Sequence, residues 1–448
     1  MFKKKLIALG IMGTLLMTSA LTGCSKPAEE ATGDTPTDAP AVEEMVEVDI
    51  FQFKVEIVEA LEDAIVAYEA ENPNVKINLQ TVGGGDDYGA ALRAQFQSGN
   101  EPDIYNVGGP QDVKDWTEKL EDLSGEPWAS QALDGVLSGV TVEGKVFGLP
   151  YGIEGYGLAY NKDIFADAGI DASTIKDYAS LEAALSTLQA KIDAGEMKEK
   201  YPLLEAVTEY AARETWVTGL HSSNIAIANE FESSLDAFAA ETLEFKHADA
   251  FKAYIDLQAK YSANAKSTAK MNAVDYATQV DEGIAIERVA VIQQGNWIYG
   301  GVKAVDEEVA EKLGFLPMPL KGVKEDSIAI GVPMYWSVNS TAPDADRDAA
   351  KAFLNWLYTS DTGKDTVVNK FFFIPPLKGY DDVQPADPLA KDILMYANEG
   401  RTMPWVFMGY PTDWGMGGLG EQIQKYYAGE ATWEEVVKTA KEKWVELR

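Results

Sequence analysis

The sequence predicts an α/β fold, and three observations carry that prediction. Short apolar-alternating runs are followed by stretches with helical spacing, the order strand, helix, strand recurs, and no repeat of solenoid length interrupts it. Val46, Val48 and Ile50 alternate with acidic residues and give the first strand. Val58, Leu61, Ile65 and Tyr68 recur at helical spacing until Asn72-Pro73 stops the helix. Val75, Ile77 and Leu79 then alternate with Lys76, Asn78 and Gln80 in a second strand. A β-α-β start predicts a mostly parallel sheet. Further along come a helix around 90–97, a strand beginning at Pro102-Asp103-Ile104, and a long helix over 180–191. Near the end, 347–358 and 433–445 place apolar residues three and four apart, as amphipathic helices do.

Composition narrows the function. The 448 residues, 46% hydrophobic, can fill sizeable cores. Seventy-two acidic against 38 basic residues give a formal charge of −34, which repels polyphosphate, so nucleic acid is excluded as a partner. One cysteine and two histidines leave too few thiolates and imidazoles for a transition-metal site, and no cofactor is expected. Lys3, Lys4 and Lys5 precede an apolar run from Leu6 to Ala20, too short to span a bilayer, and together they read as an export signal. Leu21-Thr22-Gly23-Cys24 follows and resembles the lipobox of bacterial lipoproteins, in which the cysteine is diacylated and becomes the new N-terminus. Removing the signal, residues 1–23, deletes three lysines and no acid, so the formal charge moves from −34 to −37. Residues 24–45 carry Pro27, Pro36 and Pro40 among Ala, Thr, Asp and Glu, without apolar period, and are expected to be a disordered tether with a reach of about 25 Å. The expectation is a body outside the cell membrane, tied to its outer face by lipid alone.

Several segments resemble, in order, the sugar-binding family of extracellular solute-binding proteins of ABC importers that includes maltose-binding protein. They are 68–77, Tyr-Glu-Ala-Glu-Asn-Pro-Asn-Val-Lys-Ile; 96–104, Phe-Gln-Ser-Gly-Asn-Glu-Pro-Asp-Ile; Gly148-Leu149-Pro150-Tyr151; and 158–165. Residues 290–297, ending Gly295-Asn296-Trp297, the segment 314–319, and the helix 349–358 with its following cap complete the set. The resemblance implies a type II periplasmic-binding-protein-like fold, two α/β lobes around a ligand cleft with a three-crossing hinge. The crossings are expected near Gly152–Gly155, Gly314–Met318 and Phe371–Pro375. Lobe one is then 46–153 and 317–371, and lobe two 154–316 and 372–448. Partners implied are a carbohydrate ligand and the permease subunits of an ABC transporter, with the binding protein itself a monomer.

A pyranose offers hydroxyls in its plane and C–H faces above and below, so ring platforms and planar polar groups are the residues to seek. By position in the family, Trp297 and its neighbour Asn296 fall where a strand meets a helix at the ligand; the alternative for Trp297 is a core ring. Glu154 falls on the first crossing, with Tyr151 three residues ahead. One ring of Tyr335-Trp336 is expected to face the cleft. Trp405 and Trp414 lie in a stretch rich in Gly, Pro and aromatics, with Trp414 favoured for contact. Asp86 and Asp87 follow Gly83-Gly84-Gly85 and suit vicinal hydroxyls, although Asp87 also fits a helix N-cap. Lys54 and Gln111 occupy loops that face the cleft in the family, or else are solvated surface. The 205–216 region has no clean match, and Tyr210 and Arg213 are candidates there.

Gly415-Met416-Gly417-Gly418-Leu419-Gly420 fits G-x-G-x-x-G, but a loop precedes it and too little chain follows for a nucleotide domain. The expected function is capture of an extracellular carbohydrate, an oligosaccharide, and delivery to the permease by cleft closure, without catalysis. Two alternatives stand beside it. The same fold could hold a polyamine or other cationic solute through acids and rings, or the acids could serve an extracellular glycosidase.

Overall fold

The computed structural model describes residues 45–84 and 86–448. The expected signal, the tether up to residue 44 and the Cys24 lipidation site lie outside the described residues.

Two sheets, each with its own apolar core, organise the chain. In the first, the strands run in the order Val75–Thr81, Val46–Gln52, Ile104–Val107, Tyr335–Val338, Leu149–Pro150. Val46–Gln52 pairs in parallel with both neighbours, as the β-α-β reading requires. The connecting helix Val58–Glu71 buries Leu61, Ala64, Ile65 and Tyr68 against this sheet, and Asn72 closes it. The second sheet runs Thr402–Pro404, Ile328–Gly331, Glu154–Asn161, Val289–Gly295, Ala206–Glu209, with Leu313–Leu316 also on Glu154–Asn161.

The sheets are mixed rather than mostly parallel. Tyr335–Val338 is antiparallel to both of its neighbours, and Glu154–Asn161 is antiparallel to each strand beside it. Both strands enter straight from the other lobe, with no helical crossover to turn them round.

The cores show where the lobes part. One gathers apolar residues from Val48 to Tyr151 and from Tyr335 to Tyr380; the other gathers Tyr156 to Ala329 and Leu389 to Trp444. The chain first changes sheet between Pro150 and Glu154. The second crossing follows Gly331, not Gly314–Met318, because Leu313–Leu316 and Ile328–Gly331 both pair inside the second sheet. At the third, Ile374 bridges to Ile153 and packs on the second core, yet Leu377 and Tyr380 return to the first, so the passage is completed beyond Tyr380 rather than at 371–375.

Helix ends follow local chemistry. Asp87 caps Tyr88–Ser98 by accepting from Ala90 N at 2.9 Å, and Gly99 ends it at φ 80°. Capping boxes start Tyr178–Asp193 at Asp177 and Trp433–Leu447 at Thr432. The glycine-rich motif forms a π-helical segment, Trp414–Gly420, which lies against a second one, Trp216–Ser222. The fit demands glycine: a Cβ on Gly219 would stand 1.7 Å from Gly415 O.

Candidate ligand-binding cleft

Between the two sheets lies a cleft of about 380 Å³. Its floor is an ion pair joining the lobes. Lys54 leaves the first strand, where Gln52 braces it: Lys54 N donates to Gln52 Oε1 at 2.6 Å and Gln52 Nε2 donates to Lys54 O at 2.9 Å. Its Nζ stands 2.8 Å from Glu154 Oε1, at the start of the second lobe's strand, with the side chains 4% and 2% exposed. Burial alone would lower the Lys54 pKa, but Glu154 and Glu56 outweigh it and hold it raised. The lysine is therefore charged and already committed.

The second lobe supplies a wall of rings. Trp297 follows the Val289–Gly295 strand, and its Nε1 donates to Gln294 Oε1 at 2.8 Å; Gln294 Nε2 in turn donates to Gln279 Oε1 at 2.7 Å. That relay fixes the indole plane. Lys54 Nζ lies 5.7 Å from the Trp297 ring. His221 stacks on Tyr156 at 4.3 Å and 9°, with Trp216, Trp297, Trp405 and Phe407 centred 5.2–5.8 Å from it. Burial, then the Lys54 charge, lowers the His221 pKa to about 3, so this imidazole is neutral. Room for two of the platforms comes from missing side chains: a Cβ on Gly295 would lie 2.1 Å from the Trp297 ring, and one on Gly331 2.5 Å from that of Trp405.

The first lobe faces this wall with polar groups: Asp86, Asp87, Arg93, Gln111 and Asp112. Burial, partly offset by Gly108 N at 2.7 Å, raises the Asp112 pKa to about 6. Gln111 Nε2 donates to Asp115, and Gln111 Oε1 accepts from Arg448 of the second lobe. Thr412 Oγ1 donates to Asp115 Oδ2 at 2.6 Å, a second rim contact between lobes.

Of the residues singled out from sequence, Trp297, Glu154, Lys54, Asp86, Asp87, Gln111 and Trp405 line the cleft. The others stand elsewhere. Tyr151 is fully buried behind the floor, stacked on Trp336 at 4.0 Å and donating to Asn106 Oδ1 at 3.0 Å. Neither ring of Tyr335-Trp336 reaches the cleft: their strand is interior to the first sheet and covered on both faces, with Trp336 Nε1 donating to Tyr358 Oη and Tyr335 Oη to Val136 O. Trp414, favoured over Trp405, is instead core; its Nε1 donates to Ala440 O at 2.7 Å and its ring meets Tyr410 and Trp444. Asn296 ties the crossings together, accepting from Gly155 N and donating to Phe372 O. Tyr210 is buried, and Arg213 pairs with Asp275 at the surface.

Sequence reasoning passed over Trp216, His221, Tyr276, Arg93 and Phe407, all of which line the cleft. Trp216 and His221 are five apart, so on an ordinary helix they would point apart; the π-helical turn brings their rings to 5.2 Å.

Two α/β lobes joined by crossing strands around one cleft define a ligand-capturing protein. The chain belongs to the family of bacterial extracellular solute-binding proteins, which matches residues 54–364. Among its relatives, the xylose/arabinose-binding protein XacG of Haloferax volcanii is 24% identical over 57% of this chain and 54% of that protein, so the match spans about half of the relative. The melibiose/raffinose/stachyose-binding protein MelE of Bacillus subtilis is 23% identical over 71% of this chain and 70% of its own. In fold, the chain is similar to a chitin oligosaccharide binding protein, with TM-score 0.71, 22% identity and 90% and 99% of the two chains covered. It is also similar to RafE in complex with raffinose, with TM-score 0.68, 19% identity and 90% and 100% covered.

Proposed function

We propose that this solute-binding protein captures an extracellular carbohydrate, an oligosaccharide, and delivers it to an ABC transporter permease, held at the outer membrane face by a lipid on Cys24. The observation that carries the reading is the asymmetry of the cleft. One wall offers Trp297, Trp216, Trp405 and Phe407 as flat apolar surfaces, and the other offers Asp86, Asp87, Arg93 and Gln111 as hydrogen-bonding groups. A pyranose has that division in its own structure, with apolar faces and a polar edge. The volume lies in the range of small-molecule sites. Relatives named for xylose, arabinose, melibiose, raffinose and stachyose binding support the same ligand class.

Capture without turnover fits the floor. At that floor Glu154 is paired with Lys54 rather than free to act on a scissile bond, and the relatives matched are named as binding proteins. Calorimetry of the purified full chain against raffinose, stachyose, xylobiose, chitotriose and spermidine, with chromatography of the recovered ligand, tests the proposal. Binding of an intact sugar is expected. Spermidine binding in the absence of any sugar binding, or release of monosaccharide, would overturn it.

A further inference from the structure

We propose that His221 is a specificity-determining residue of the cleft, its imidazole hydrogen-bonding a hydroxyl of the sugar unit held against the ring wall. This rests on the carbohydrate reading and goes beyond it by naming the group that reads the ligand and the charge it excludes. His221 sits on the π-helical segment Trp216–Ser222, whose extra residue per turn carries it to the cleft. Tyr156 covers one face of its ring, and neighbouring rings crowd its edges, so orientation is fixed. The hydroxyl of Tyr156 donates to the His221 backbone carbonyl at 3.0 Å and pins the main chain as well.

What this framework holds in place is a polar group with nothing to do. Neither imidazole nitrogen makes a hydrogen bond to a described residue, and the side chain is partly exposed where it lines the cleft, so the nitrogens are open to a ligand. One further polar atom on a lining residue is unpartnered: Trp405, 5% exposed, has no acceptor for its Nε1 among the described residues. An indole donor and an imidazole able to donate or accept can both serve sugar hydroxyls.

The surroundings also fix the charge of the partner. The imidazole is neutral, Lys54 is neutralised by Glu154, and Asp86, Asp87 and Asp112 face it from the other wall. Among the described residues that line the cleft, a carboxylate on the bound unit would meet these acids, and the one cation without an ion-pair partner, Arg93, stands on the opposite wall near Asp112. The subsite selects a neutral hydroxyl-bearing unit over a uronic acid.

The test is calorimetry of the full chain and of His221→Phe and His221→Gln with raffinose, stachyose, xylobiose, chitotriose and digalacturonate. His221→Phe keeps the ring packing and removes both nitrogens, and is expected to weaken the best neutral sugar at least about tenfold with an unchanged melting curve. His221→Gln, which restores a donor and an acceptor, is expected to return to within about threefold of wild type. Wild-type affinity in a folded His221→Phe, or digalacturonate bound more tightly than every neutral sugar, would overturn the assignment. A wild-type chain that binds none of the sugars removes the carbohydrate reading and this subsite together, an outcome distinct from failure of the variant alone.

Discussion

Replacing Lys54 with Met is the sharpest perturbation of the cleft floor, because it strands Glu154. The carboxylate is 1% exposed and its one counter-charge is the Lys54 ammonium at 2.8 Å. Breaking a buried pair by removing one partner costs about 3–5 kcal/mol. Here the loss has a ceiling, since the stranded acid can take up a proton. From an ordinary carboxyl value of 4.5 to pH 7 is 2.5 units, so protonation costs about 3.4 kcal/mol and limits the penalty. Unfolding entropy for a body of this length, 45–448, is about 0.85 kcal/mol per degree, which turns the ceiling into a melting-temperature loss of about 4 °C at pH 7. The signature lies in the pH dependence. The unfolded acid titrates near 4.5, so the deficit should shrink steadily as pH falls from 7 to 5. Differential scanning calorimetry of wild type, Lys54→Met and Lys54→Met/Glu154→Gln, with small-angle scattering on each, measures this. The double variant should recover most of the loss. No deficit at pH 7 in a variant of unchanged radius of gyration, or an equal deficit at pH 7 and pH 5, would refute the reasoning.

Three other perturbations probe separate parts of the chain. Trp297→Ala should weaken sugar binding at least about tenfold while unfolding stays cooperative, as calorimetry and melting curves will show; unchanged affinity would take Trp297 out of the site. Asp387 caps the Pro388–Asn398 helix through Ala390 N at 2.7 Å, and burial raises its pKa to about 6. A raised carboxyl means the folded state holds its proton more tightly, so its contribution is full below 3.8 and is lost as pH rises through 6. Asp387→Asn keeps the cap without titrating; its stability relative to wild type should rise from pH 4 to pH 7, and a pH-independent difference in denaturant titrations would contradict this. Cys24→Ser should shift the protein from the membrane fraction to the medium or leave an uncleaved precursor, and normal lipid labelling in that variant would exclude the anchor.

Legibility in the sequence followed the range of the interactions. The β-α-β opening and the helices over 178–193, 344–359 and 433–447 are written in local periodicity and caps, and they stand where the pattern puts them. Strand direction was less legible, because the antiparallel strands Glu154–Asn161 and Tyr335–Val338 take their sense from crossings between lobes. At the site, Trp297, Glu154 and Lys54 stand in contexts with a recognisable position. Trp414 and Trp405 have nearly the same local composition, and what separates them is the partner: Ala440 and Trp444 for one, Gly331 and the cleft for the other. His221 was hidden for another reason. Its placement depends on a π-helical turn and on Gly219 meeting Gly415, and no 3.6-residue pattern encodes either.

The interleaving of the first sheet also sets an order of events. Tyr335–Val338 fills the gap between Ile104–Val107 and Leu149–Pro150, so the first lobe cannot complete its sheet until the second lobe's long excursion has been delivered. The N-terminal half of the chain is thus left with an open strand edge and an unfinished core for most of its synthesis. The topology thus withholds the first lobe's cooperative lock until the chain has been delivered as far as Val338.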